Sequence, residues 1–117
     1  IYYFEFDLPK IHDIPTGFSD ATRVNNTLFF IATAEGVTST YDDGAIKGSI
    51  FGAIDLKKMK ILFTEKISNT HKFEGITVLS QNKKNIEFAL CEDLDNKSNE
   101  NATIYKLNVD LKSNVYV

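Results

Sequence analysis

The residues of this chain whose chemistry goes beyond packing are its carboxylates and two histidines. It carries 16 acidic residues, and the histidines are His12 and His71. Asp20, Glu35, Glu74 and Glu92 fall at the ends of apolar runs, and Asp93 follows the last of them. Carboxylates gathered from several strand ends suit a hard cation such as Ca²⁺, which takes about six to eight oxygens. Glu35, Glu74 and Glu92 are the candidate metal ligands. Asp20 and Asp93 join them as candidate ligand-binding residues. The alternative is a set of separate, solvated carboxylates. His71 lies three residues before Glu74, so an imidazole base beside a carboxylate is the candidate catalytic arrangement. His12 falls in another connection and reads as a solvated side chain.

Other motifs carry less. Tyr41-Asp42-Asp43-Gly44 lacks the alternating ligands and closing Glu of an EF-hand loop. Asp93-Leu94-Asp95-Asn96 reads equally as a shared-cation site and as a turn bonded to its own backbone. Tyr2, Tyr3 and Tyr41 would stack a sugar ring if exposed. The chain has no Gly-x-Ser-x-Gly elbow, no His-Glu-x-x-His and no phosphate-cradling glycine loop.

These residues must be positioned by strands. Apolar, β-favouring stretches recur near residues 1–7, 18–24, 27–35, 48–56, 60–67, 73–80, 85–92 and 102–110, with a last one near 114–117. In Tyr3-Phe4-Glu5-Phe6-Asp7 the apolar residues alternate, as a half-buried strand requires. Asn25-Asn26 predicts a type I′ hairpin, because Asn tolerates positive φ. Residues 57–59 and 81–84 read as further hairpin connections. No stretch holds a 3.6-residue apolar period over ten residues, so the chain is predicted to be all-β. The single cysteine, Cys91, ends the apolar run 86–90 and is expected to be a buried, inert thiol.

The strands repeat. Residues 1–8 align without gaps to 104–111, and residues 50–56 make a third copy, each ending apolar-Asp-Leu at Asp7, Asp55 and Asp110. Phe18-Ser19-Asp20-Ala21-Thr22 matches Phe73-Glu74-Gly75-Ile76-Thr77, and Thr33-Ala34-Glu35 matches Leu90-Cys91-Glu92. A β repeat of about 50 residues with four strands per copy predicts propeller blades. On this reading residues 18–67 and 73–117 are two four-stranded, antiparallel blades. Residues 1–17 then end a preceding blade and contribute a leading strand. Two blades do not close a ring, so the expected partner is the rest of a longer propeller chain or a homo-oligomer that completes it. A β-sandwich is the alternative architecture.

In such blades one set of loops gathers ten of the 16 acidic residues against four lysines. The opposite turns carry Lys57, Lys58, Lys60, Lys83, Lys84 and Lys112 against Asp55 and Asp110. The molecule is therefore expected to present one acidic loop face, the place where rigid strands hold variable binding loops. Net charge is −3 and Arg23 is the lone arginine, which disfavours a nucleic-acid partner. No apolar run reaches the roughly 18 residues of a membrane span.

The words Gly17-Phe18-Ser19-Asp20-Ala21-Thr22, Thr33-Ala34-Glu35, Asp43-Gly44, Gly48-Ser49, Ile54-Asp55-Leu56, Lys72-Phe73-Glu74-Gly75 and Cys91-Glu92-Asp93-Leu94-Asp95 occur in this order. In that order the chain resembles the C-terminal blades of an uncharacterised bacterial β-propeller family, akin to SdiA-regulated and phytase-like esterase proteins. That family tends to have a Thr-Asp-x-Asp-type word where this chain has Cys91-Glu92. The resemblance implies a propeller drawn from a longer chain. It supplies no activity, since one fold hosts many functions. Three expectations stand side by side: a ligand- or Ca²⁺-binding propeller part, a metal-assisted phosphate- or carboxyl-ester hydrolase, and a structural or interaction module.

Overall fold

The computed structural model describes residues 1–34, 48–92 and 102–111. Seven strands account for its regular structure: β1 (Thr16–Val24), β2 (Thr27–Ala34), β3 (Ser49–Asp55), β4 (Lys60–Ser68), β5 (Phe73–Gln81), β6 (Asn85–Glu92) and β7 (Tyr105–Asp110). No helix occurs among the described residues, and so none long and apolar enough to cross a membrane. Strands β1-β2-β3-β4 form one antiparallel meander and β5-β6-β7 a second. The all-β expectation holds, with two sheets of four and three strands. The strand expected near 114–117 lies outside the described residues. Residues 1–7, expected as a leading strand, pair with no strand among the described residues. Apolar alternation makes a strand only where a neighbour satisfies the backbone, and Ile1 to Phe4 are exposed instead.

Period-two patterning sets the layers. In β2, Phe29 and Ile31 point to one face of the first sheet and Phe30, Ala32 and Ala34 to the other. The first face packs on Ile86, Phe88 and Leu90 of β6. Phe29, Phe51 and Phe88 form its centre, with ring centroids 5.1 to 5.8 Å apart. The second face is covered by the N-terminal segment through Phe6, Leu8, Ile11 and Ile14. Gly52 stands opposite Phe30. A Cβ added there would come within 2.3 Å of Phe30 Cζ and 2.8 Å of the Phe63 carbonyl oxygen, so any larger residue would force ring and backbone to shift.

Among the described residues the second sheet is covered on one face. In β6, Ile86, Phe88 and Leu90 are buried, while the alternate residues Glu87, Ala89 and Cys91 face away. Cys91 is therefore exposed, which corrects the expectation of a buried thiol. The run that suggested burial is a strand of alternating faces, with Glu87, Ala89 and Cys91 on the outward one.

Hairpins form where the sequence places them, with one change of turn chemistry. At Asn25-Asn26 only Asn25 has positive φ, 54°, so the turn is not type I′, which needs both. Two consecutive positive φ values occur instead at His12 and Asp13, 49° and 63°. They close a two-residue turn in which Ile11 and Ile14 exchange backbone hydrogen bonds of 2.9 and 2.8 Å.

Corresponding features recur in the two sheets. β1 shifts register between Phe18 and Asp20, and β5 between Phe73 and Gly75. Each shift leaves one extra residue, Ser19 or Glu74, as a bulge does. Asp55 ends β3 opposite Thr27, and Asp110 ends β7 opposite Asn85. The next residue then donates its N–H backwards, Leu56 to Asn26 O at 2.8 Å and Leu111 to Lys84 O at 2.7 Å.

Candidate functional site

The meander brings the start of β1, β3, β5 and β7 and the end of β2, β4 and β6 to one end of the molecule. The chain enters that end at Ser68 and turns into β5 at Phe73. Ser68 Oγ accepts the Thr70 and His71 N–H groups at 3.1 and 2.9 Å, a local turn that stops β4. Ser49, fully buried at the start of β3, then clamps the entry to β5. Its Oγ donates to the His71 carbonyl at 2.7 Å and accepts the Phe73 N–H at 2.9 Å. One hydroxyl thus holds the backbone on both sides of Lys72.

This anchoring aims the His71 ring at the end of β6. Nδ1 lies 3.1 and 3.2 Å from the two carboxylate oxygens of Glu92. The Tyr105 hydroxyl, from the first residue of β7, donates to Glu92 Oε1 at 3.2 Å. The His71 ring stacks on Phe73 at 5.6 Å and tilts against Tyr105 at 5.2 Å. The Glu92 side chain keeps 13% of its exposure and His71 keeps 41%. The carboxylate is therefore enclosed and the imidazole half open. The Tyr105 phenol is held above its ordinary value by loss of water contact, then by the charge of Glu92 and the hydrogen bond to it.

An ionised carboxylate accepts only, so the proton of a neutral His71 sits on Nδ1. Nε2 is then left as a lone-pair acceptor, and it meets no partner among the described residues. The cluster can accept a hydrogen bond from a ligand O–H or N–H, or take a proton from a bound hydroxyl or water.

The other sequence candidates lie apart. His71 meets Glu92, not Glu74, which points toward Lys72 with Oε1 4.0 Å from Nζ. Local sequence spacing misled here, because along a strand neighbouring side chains alternate in face while the β5–β6 register carries Glu92 back to Phe73. Asp20 joins the two sheets: its Oδ2 accepts the Ile76 N–H at 2.8 Å, tying β1 to β5. Ser19 adds to that tie, with Oγ 2.9 Å from the Phe73 carbonyl oxygen and 3.2 Å from that of Ile31. His12 is exposed on the turn between Ile11 and Ile14. Glu35, Asp93, the Tyr41–Gly44 turn and the Asp95–Asn96 pair lie outside the described residues. Among the described residues no three His, Cys, Asp or Glu side chains gather to hold a metal ion.

Tyr105, Ser49 and Ser68 were not among the candidate site residues of the sequence, although Gly48-Ser49 is one of its ordered words. Two signals existed. A tyrosine opening an alternating strand must find a partner for its hydroxyl when half covered, and Ser49 is a small polar residue at the head of an otherwise apolar strand.

The model of one protein family, described as a family of unknown function (DUF6929), matches residues 1–109. No curated protein and no solved structure matches the chain.

Proposed function

We propose, from the premise that the chain belongs to the DUF6929 family of unknown function, that it is a ligand-binding part of a propeller-like β structure. Its site is the loop end around His71 and Glu92. The observation that carries this reading is the convergence of His71, Glu92 and Tyr105 from three separate elements, with the imidazole left half exposed. A polar ligand bearing a hydroxyl or amine donor is the occupant such an imidazole suits. Calcium suits the same mouth less well. Both Glu92 oxygens already receive hydrogen bonds, and Glu74 is turned to Lys72.

Support for the repeated-unit architecture comes from features that recur at aligned positions. The first strand of each sheet bulges at the matched words, Phe18-Ser19-Asp20 and Phe73-Glu74-Gly75. Both apolar-Asp-Leu endings make the same backward hydrogen bond. Strand likeness alone does not require either coincidence. The partner implied by this reading is the rest of a propeller or further copies of the chain. Native mass spectrometry of the 117-residue chain checks the second: a closed oligomer supports ring completion by assembly, and a monomer at all concentrations speaks against it.

The His71–Glu92 pair also favours a second reading, ester hydrolysis, because a carboxylate that orients an imidazole is the base half of a hydrolytic site. A thermal-shift panel of monosaccharides, sugar phosphates and Ca²⁺, run beside turnover of 4-nitrophenyl phosphate and acetate, separates the two. Binding predicts a stabilising compound whose effect is lost in Glu92→Gln. Hydrolysis predicts turnover that is lost in His71→Gln. Compounds that stabilise wild type and Glu92→Gln equally would count against the site.

A further inference from the structure

The two sheets pack in a repeating order. Thr27 stands opposite Asp55 and Asn85 opposite Asp110, the matched residues that close β3 and β7. Counted from these, the first, third and fifth residues are Leu28, Phe30 and Ala32 in β2 and Ile86, Phe88 and Leu90 in β6. The two sets mark the same face of the repeat. In the second sheet that face meets Phe29 and Ile31, which lie on the opposite face of the first sheet. The sheets therefore pack back to front.

The segment that precedes each sheet covers this same face. β4 comes before β5 and lends Leu62, Phe63 and Ile67 to the core of Ile86, Phe88 and Leu90. Residues 6–14 come before β1 and lend Phe6, Leu8, Ile11 and Ile14 to the core of Phe30 and Ala32. β4 has a second role as the fourth strand of the sheet before it. Residues 1–8 stand before β1 as β4 stands before β5 and carry the alternation of a strand, and they pair with no strand among the described residues. Ile1, Tyr2, Tyr3 and Phe4 are exposed apolar side chains.

The first sheet has four strands and the second, among the described residues, three. β7 pairs with β6 along one edge and with no described strand along the other. Leu107, Asn108, Val109 and Asp110 all line a cleft of about 330 Å³, with Phe63 and Ile67 of β4 across it. Successive strand residues point to opposite faces, so a cleft that touches four in a row runs along the strand's edge. Such an edge takes an added strand through its main-chain groups, with alternate side chains seated beside it. Residues 6–14 hold the leading segment on the face of the first sheet turned away from the second. A pairing between that segment and β7 therefore joins two molecules. We propose that residues 1–8 of one copy add to the outer edge of β7 of a second copy as its fourth, antiparallel strand. The contact is heterologous and repeats from copy to copy into a closed ring or an open chain. It rests on the repeated-unit reading given above and names its partner as a second copy of this chain.

The test mixes isotope-labelled and unlabelled 117-residue chain and reads contacts between molecules by filtered nuclear Overhauser spectra, beside sedimentation velocity over a range of concentrations. The wild type should associate, with contacts between residues 2–7 of one molecule and 105–110 of another. Consecutive strand residues present their N–H groups to opposite edges. The double variant Tyr3→Pro with Phe4→Pro therefore removes a ladder donor in either register. It should weaken association at least about tenfold. Tyr3→Val with Phe4→Val keeps both N–H groups and strand preference, and should retain association. Both positions are exposed in the single chain, so circular-dichroism melts at low concentration should match wild type and verify the fold. A monomer at all concentrations would overturn the proposal together with assembly from copies. Association without those contacts, or association that the proline variant leaves unchanged, would overturn the strand exchange alone and leave assembly standing. Contacts to the outer edge of β7 found only within one molecule would also overturn it.

Discussion

The two sheets are built on the same plan and live in different surroundings. β2, central in the first sheet, has all but one of its residues buried, whereas β6, central in the second, alternates between buried and partly open positions. The first sheet is covered on one side by the second sheet and on the other by the N-terminal segment through Phe6, Leu8, Ile11 and Ile14. Among the described residues the second sheet is covered on one side, and its other face carries Glu87 and Lys106, with Oε1 and Nζ 4.0 Å apart, and the exposed Cys91. The lesson is that strand sequence reports the number of covers as well as the strand. Continuous apolar residues mark a layer with two neighbours, and alternation marks a layer with one.

The comparison can be broken first at the shared centre. Phe88 touches both sheets through Phe29 and Phe51, so Phe88→Ala should cost about 3 to 5 kcal/mol and unfold both sheets in one transition. Urea melts followed by circular dichroism and by tyrosine fluorescence should coincide; two separated transitions would show that the sheets are independent. The glycines sharpen the contrast. Gly52→Ala drives a methyl into the Phe30 ring and should cost about 1 to 3 kcal/mol through overpacking. At Gly75 the only side-chain or backbone atom an added Cβ would meet closely is Cys91 Sγ, at 2.6 Å. Cys91 is exposed and can rotate, so Gly75→Ala should cost clearly less than Gly52→Ala in the same melts.

A smaller effect is expected at the tie between the sheets. Asp20→Ala leaves the Ile76 N–H without its acceptor and should cost about 1.5 kcal/mol, visible as faster amide exchange at Ile76 than elsewhere in β5. The smallest is at Tyr105. Its phenol is raised above 10.0 in the folded chain, so the proton is held more tightly folded than unfolded. The resulting stability is fully present below about pH 10 and is lost as pH rises through the raised value. Tyr105→Phe should therefore give a stability curve that falls less steeply on the alkaline side than wild type does. Identical alkaline slopes would contradict the Glu92 contact.

Much of this fold was legible in the residues themselves. Apolar, β-favouring runs marked six of the seven strands to within two residues or so, and asparagine and lysine-rich pairs marked their hairpins. The exception at β7 is a late start, at Tyr105 and not near 102. Ile1 to Leu8 has the pattern of a strand and lacks a paired neighbour among the described residues, as a strand expected to belong to a preceding blade would; pattern encodes a face and cannot supply the partner. Cys91 misled because a run of apolar residues looks buried until the alternation is counted from Phe88.

The site was legible in its ingredients and not in its pairing. His71 and Glu92 were both marked, each for another reason. Their meeting depends on β6 running antiparallel to β5 so that Glu92 returns opposite Phe73, and on Ser49 reaching from the first sheet to hold the intervening backbone. Such contacts are long-range in sequence, 21 residues apart for His71 and Glu92, and no local spacing rule reaches that far.

The central claim is that Glu92 fixes the His71 ring with Nδ1 protonated and Nε2 open to a ligand. The direct measurement is a long-range proton–nitrogen correlation spectrum of the imidazole, recorded above the histidine titration range in the wild-type chain and in Glu92→Gln. The account predicts the Nδ1–H form in wild type and a shift toward the Nε2–H form, the commoner one for a free imidazole, once the carboxylate is gone. A wild-type ring already protonated on Nε2, or one unchanged by Glu92→Gln, would contradict it.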